Sequence, residues 1–204
     1  MTQEKAKIAV LISGNGSNLQ ALIDACAAPH FPAEIILVIS NKADAYGLQR
    51  AYYAHIPTRI ISHRDFPERT SFDNALHEAL TQSGAELVCL AGFMRLLTPA
   101  FTAAWEGRMI NIHPSLLPLH KGLNTHQRVL EAGDAYTGAT VHYVVADMDA
   151  GEIIVQEQVA VDSNDTAHSL QQKVHAIEHD IYPRALRIVA EQYLALSKKQ
   201  HNHK

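Results

Sequence analysis

The sequence predicts an α/β fold with a mainly parallel sheet covered by helices on both faces, and three observations carry that expectation. Apolar runs of strand length alternate with helix-length amphipathic stretches from Lys7 to Trp105. Turn and capping residues stand at the junctions, as at Gly14-Asn15-Gly16-Ser17-Asn18 and at Gly84. Beyond Pro118 the alternation gives way to two strand-like runs joined by a turn, an antiparallel hairpin added to the sheet ahead of a long C-terminal helix.

Each element has its own signal. Lys7 to Ser13 is a near-continuous apolar run, followed by the glycine-containing turn and by Leu19, Leu22 and Ile23 at helical spacing, with Ser17 or Asn18 as the cap. Such a turn directs backbone N–H groups and a helix N-terminus at one point, which suits a phosphate, though a tight strand-to-helix turn would look the same. A dinucleotide fingerprint is broken, because Leu19 stands where a third glycine belongs and the next strand, Glu34 to Ser40, ends in Asn41-Lys42. Ala45 to Ala54 reads as a helix, Thr58 to Ile61 as a short strand, Glu68 to Ser83 as a helix and Leu87 to Leu90 as a buried strand. The loop Ala91 to Leu97 mixes small and apolar residues with Arg95, so it is either a slot for a flat heterocycle or a packed connection. Thr98-Pro99 opens a helix to Trp105.

Met109 to Ile112 is a strand that ends by presenting Asn111 and His113. Side chains two apart on a strand face the same way, so an amide and a titratable ring point together. Alone, the pair reads more readily as a core Asn and a satisfied core His at a strand end. An irregular segment follows, with Pro114, Pro118 and Gly122, then a helix from His126 to Ala132, a strand from Thr140 to Val145, a turn at Asp147 to Gly151 and a strand from Glu152 to Val161. Asp165 or Thr166 caps the last helix, which Pro183 is expected to kink or break. Residues 199–204 are expected to form a disordered tail.

Composition excludes several classes. A chain of 204 residues with 47% hydrophobic and 19% charged side chains is expected to form one domain, 1–204, without disulfides. Net charge −4 and the lack of a basic stripe argue against nucleic acid. Cys26 and Cys89 have no metal or redox spacing and read as buried thiols, and no apolar run suggests a leader or a membrane span, so a cytoplasmic protein is expected. His175-Ala176-Ile177-Glu178-His179 matches a zinc-protease pattern, but few residues remain to supply a third ligand and the chain has 13 histidines, so no metal is expected.

Five stretches together resemble the phosphoribosylglycinamide formyltransferase family: the Gly14 to Asn18 turn, Ser40 to Leu48, Ala91 to Pro99, Asn111-Ile112-His113-Pro114-Ser115-Leu116-Leu117-Pro118, and Asp149-Ala150-Gly151. The resemblance implies a Rossmann-like fold and transfer of a formyl group from 10-formyltetrahydrofolate, a cosubstrate, to the amine of glycinamide ribonucleotide in purine synthesis, with no metal. It assigns Asn111 and His113 as oxyanion donors and Asp149 as the carboxylate that keeps His113 protonated and relays protons. Gly16, Ser17, Asn18, Glu178 and His175 would hold the ribonucleotide. Arg69, Met94, Arg95, Leu96 and Leu97, with Asn111 and the segment Val145, Ala146, Asp147, Met148 and Asp149, would hold the folate. Residues 1–108 would form the phosphate-binding half and 109–198 the catalytic and folate-binding half, in a monomer or a homodimer. The chain departs from the family at His120, where an aromatic residue is common, inside a segment, 114–125, expected to be a mobile flap.

The alternatives are a 10-formyltetrahydrofolate deformylase, expected to need an N-terminal domain for which the first strand leaves no room, and a transfer-RNA formyltransferase, disfavoured by the charge and by a missing C-terminal domain. A binding module that has lost catalysis is opposed by the intact Asn111, His113 and Asp149.

Overall fold

The computed structural model describes residues 4–201. The strands are β1 (Ala6–Ile12), β2 (Ala33–Ser40), β3 (Thr58–Ile60), β4 (Leu87–Leu90), β5 (Met109–His113), β6 (Tyr136–Tyr143) and β7 (Ile153–Ala160). The helices are α1 (Ser17–Cys26), α2 (Gly47–Tyr53), α3 (Arg69–Ser83), α4 (Pro99–Ala104), α5 (Thr125–Ala132) and α6 (Ala167–His201). All seven strands form one sheet in the order β3-β2-β1-β4-β5-β6-β7. β1 to β5 pair in parallel, and β6 and β7 extend the sheet as the expected antiparallel hairpin.

The two faces of the sheet carry separate cores because strand side chains alternate. Ile8, Val10, Ile12, Ile110 and Ile112 pack with Leu19 and Leu22 of α1 and with Val174, Ile181, Leu186 and Val189 of α6. Ala9, Leu11, Val88, Leu90 and Met109 pack instead with Phe72, Leu76 and Leu80 of α3 and with Phe101 beside Trp105. Strand order reverses between β1 and β4, so the loops after these neighbours, Gly14 to Asn18 and Ala91 to Leu97, open at the place where doubly wound sheets bind ligands. Among the described residues, no helix is long and apolar enough to cross a membrane. Cys26 and Cys89 are free, and burial pushes both thiols above their ordinary range.

Four expectations need correction. Neither Ser17 nor Asn18 caps α1; Gly16 is the N-cap, in a left-handed conformation with φ 74 and no side-chain cap. Its Cα lies against Gly47, and a Cβ on Gly16 would come within 2.7 Å of the Gly47 Cα, so the turn is shaped by backbone contact rather than by a polar side chain. β6 begins at Tyr136 rather than at Thr140 and ends at Tyr143. Gly138 looks like a strand breaker in sequence, but here a Cβ would run into the Glu157 carbonyl of β7, so the missing side chain is what lets the pair close. α6 runs unbroken through Pro183. Proline cannot donate to the carbonyl of His179, but Ile181, Tyr182, Ala185 and Leu186, all fully buried, hold the helix to the sheet on both sides of it. Finally, residues 199–201 continue α6 instead of forming a tail, while 202–204 lie outside the described residues.

Other signals resolve as expected. Thr98 caps α4 by accepting from the Phe101 N–H, and Thr166 caps α6 by accepting from the Ser169 N–H at 3.1 Å. The Tyr182 hydroxyl donates to the Leu90 carbonyl of β4 at 2.9 Å, with the Ile110 carbonyl of β5 at 3.4 Å, which fixes α6 across two adjacent strands.

Candidate active site

β5 delivers Asn111 and His113 at its carboxyl end, on the face opposite Ile110 and Ile112. Antiparallel pairing then sets Asn111 opposite His142 and His113 opposite Thr140. The loop between β6 and β7 returns Asp149 to the same place, with a left-handed backbone at φ 50. Asp149 Oδ2 lies 3.4 Å from His113 Nδ1, and Oδ1 lies 3.7 Å from His142 Nε2. Asn111 Nδ2 is 3.3 Å from His142 Nε2, and His142 Nδ1 is 2.8 Å from the Tyr143 carbonyl. Asn111, His113 and Asp149, singled out in the sequence, are therefore brought together, and a fourth side chain joins them.

His142 escaped the sequence reading. Its signal was the pairing register of β6, which local alternation does not reveal. With Nδ1–H donated to the Tyr143 carbonyl, Nε2 is left to accept from the Asn111 amide. That orients the amide so that its second N–H points away from His142.

The electrostatics of the cluster are set by burial and by its few donors. Burial pushes the His113 pKa below that of free histidine, opposed by the His120 carbonyl and by Asp149, and reinforced by His142 and Arg128. Burial works against ionisation of Asp149 too, but the neighbouring His142 ring, the Gly122 N–H at 2.9 Å and His113 together hold its carboxyl below the ordinary value. His113 has an acceptor at each ring nitrogen, Asp149 at Nδ1 and the His120 carbonyl 3.0 Å from Nε2. Only a doubly protonated ring donates to both.

A second group lies between α1 and α6. Asn18 Nδ2 donates to Glu178 Oε2 at 2.9 Å, and His175 Nε2 is 4.0 Å from the same oxygen. Glu178 is 3% exposed, and burial raises its carboxyl to about 7 against the opposing Asn18 bond. His126, His175 and His179 all have their pKa lowered, first by burial. The buried atoms Asn18 Oδ1, His126 Nδ1 and His179 Nε2 are among those that lack a hydrogen-bond partner. The zinc-like spacing thus places Glu178 and His175 beside Asn18, and among the described residues no group of three or more His, Cys, Asp or Glu is arranged to hold a metal ion. Gly16→Ala should collapse the neighbouring turn, because the left-handed backbone and the Gly47 contact both exclude a methyl group; a loss of about 1–3 kcal/mol, read by thermal unfolding, is expected.

The residues expected to meet a heterocycle are on the surface. Met94, Arg95 and Leu96 are exposed, and Leu97 packs with Val144 against the α3 side of the core. The Met94 N–H is fixed at 2.8 Å by Ser13 Oγ, which itself donates to Asn41. Val145, Ala146, Asp147 and Met148 are exposed ahead of Asp149, and the Met148 methyl approaches Gly122. Arg69 is the exposed first residue of α3, and no described contact joins it to this group.

A strand-end amide, imidazole and carboxylate thus converge beside a switch-point loop, and comparison with known proteins gives the class: a transferase of formyl groups. The sequence pattern of the formyl transferase family matches residues 6–186. The chain is 45% identical over 190 residues to a phosphoribosylglycinamide formyltransferase of Haemophilus influenzae, covering 93% of this chain and 90% of that one. The structure of a phosphoribosylglycinamide formyltransferase from Coxiella burnetii superposes with a TM-score of 0.88 at 51% identity, covering 93% of this chain and 89% of that chain. A Bos taurus relative, the trifunctional purine biosynthetic protein adenosine-3, is 53% identical over 187 residues, but the chain spans only 18% of its length. The chain belongs to the formyl transferase family and, within it, to the phosphoribosylglycinamide formyltransferases, which are transferases.

Proposed function

We propose that the protein transfers the formyl group of 10-formyltetrahydrofolate to the amine of N1-(5-phospho-D-ribosyl)glycinamide, a step of purine synthesis. The convergence of Asn111, His113, His142 and Asp149 at the end of β5 carries this reading. The substrate amine attacks the formyl carbon directly, a C–N bond forms, and charge collects on the formyl oxygen. Asn111 Nδ2, oriented by His142, and a His113 N–H are the donors that meet this charge. As the intermediate collapses, the bond to the folate nitrogen breaks, and the proton lost by the amine passes to that nitrogen, with Asp149 and His113 as the groups able to hold it in transit. Asp149, being ionised, favours the protonated His113 ring.

The ribonucleotide is assigned to the other group. Gly16, Ser17 and Asn18 offer the first backbone N–H groups of α1 to its phosphate, and Glu178 with His175 meets its hydroxyl or amine groups. Met94 to Leu96 and Val145 to Met148, exposed and apolar in part, fit the folate together with the half-buried Leu97 and Asp149. Arg69 is a weaker fit, since it stands apart on α3.

Two measurements test the assignment. Loss of formyl from 10-formyltetrahydrofolate should require the ribonucleotide; an equal rate of formate release without it would make the protein a hydrolase instead. A carboxylate accepts from ribose hydroxyls and a neutral acid does so poorly, so the Glu178 value of about 7 has a sign. Below it KM for the ribonucleotide should rise, about tenfold per pH unit at the limit, and Glu178→Gln should flatten that profile. A wild-type profile no steeper than that of Glu178→Gln would remove Glu178 from the binding site.

A further inference from the structure

The flap after β5 is pinned at four consecutive residues. The Leu119 carbonyl accepts from Ser115 Oγ at 2.7 Å, the His120 carbonyl lies 3.0 Å from His113 Nε2, the Lys121 carbonyl accepts from Arg128 Nη1, and the Gly122 N–H donates to Asp149 Oδ2. One of these contacts works against the reaction. Asp149 faces Nδ1 of His113, so Nε2 is the nitrogen left for the formyl oxygen, and the His120 carbonyl is already there. Carbonyl and formyl oxygen compete for one N–H.

A side chain holds that carbonyl in place. His120 Nε2 lies 2.6 Å from Asp134 Oδ2, and the His120 backbone is left-handed, with φ 52. Asp134 is a fixed post: it follows Gly133, the left-handed C-cap of α5, and its own N–H reaches back to the Val129 carbonyl at 3.3 Å. It therefore belongs to the α5–β6 corner rather than to the flap. The tie is available to this chain because position 120 is a histidine with a ring nitrogen to offer.

We propose that Asp134 is a positioning residue which, by gripping the His120 imidazole, parks the flap carbonyl on His113 Nε2 and sets how often that catalytic N–H is free for the formyl donor. The flap described here is then a self-capped resting state, and the apparent affinity for the donor is lowered by the fraction of molecules so capped. The inference rests on the transferase reading for its kinetic consequence, but not for the contact itself.

The test uses the full chain with Asp134→Asn, Asp134→Ala and His120→Phe, the last removing the other partner. The first readout is ¹⁵N NMR of the His113 ring, which needs no turnover. With Asp134→Ala or His120→Phe the Nε2 proton should exchange with water about tenfold faster, Asp134→Asn should lie between, and Asp134→Glu should restore the wild-type rate. The second readout is kcat/KM for the formyl donor, expected to rise about three- to tenfold in the same order. Unchanged exchange in both full removals would overturn the tie. Faster exchange with kcat/KM flat or lower would overturn the competition, leaving Asp134 a structural residue. If no variant, nor the intact protein, turns over the donor, the transferase reading fails while the exchange data still decide the tie.

Discussion

His113→Ala should lower kcat by roughly 100- to 1,000-fold while the fold and ribonucleotide binding persist, because the change removes a donor aimed at charge that exists only in the transition state. The ring belongs to neither apolar core, and its polar contacts are Asp149 and the His120 carbonyl, so thermal unfolding should shift by a few degrees at most. Loss in kcat with KM for the ribonucleotide nearly unchanged is the expected split. A variant with full kcat would remove His113 from the chemistry.

Asp149→Asn should cost on the order of 100-fold or more in kcat. The carboxylate is the common partner of His113 and the Gly122 N–H, with the His142 ring 3.7 Å away, and the amide that replaces it is neutral and must turn one N–H toward a neighbour. The sign on His113 is fixed by the same contacts. Asp149 supports the protonated ring, so its neutralisation adds to the effect of burial and moves the His113 titration to still lower pH. NMR titration of the ring in the two proteins checks this directly, and an upward or absent shift would show that the pair does not communicate.

Much of the fold was legible because its elements are locally specified. β4 was read at its observed residues, since Leu87 to Leu90 is a buried parallel strand with no polar interruption, and β5 differs only by the inclusion of His113. What could not be read was relational. His142 enters the site only through the pairing of β6 with β5, and the true start of β6 is hidden by a glycine whose purpose appears only when β7 lies beside it. Likewise the N-terminus of α1 has polar candidates for a cap at Ser17 and Asn18, yet Asn18 turns its amide to Glu178, 160 residues later in sequence. The polar residue is committed to a long-range contact, so a glycine ends up as the cap. Pro183 teaches the converse: a local breaker is overridden where the flanking turns are fully buried.

Tyr182 stands one turn after Glu178 on α6, and its hydroxyl is anchored to backbone carbonyls of β4 and β5. Residues four apart share a helix face, so that anchor sets the rotational phase of α6 and with it the direction in which Glu178 points. Turning the helix by one residue, about 100°, would carry the carboxyl away from Asn18. A core tyrosine thus acts as the key in a keyway: it does no chemistry, yet it decides which residue of a 35-residue helix faces the pocket. Tyr182→Phe, which keeps the ring and frees the rotation, should raise KM for the ribonucleotide more than it lowers the unfolding temperature, and a change confined to stability would show that packing alone already holds the phase.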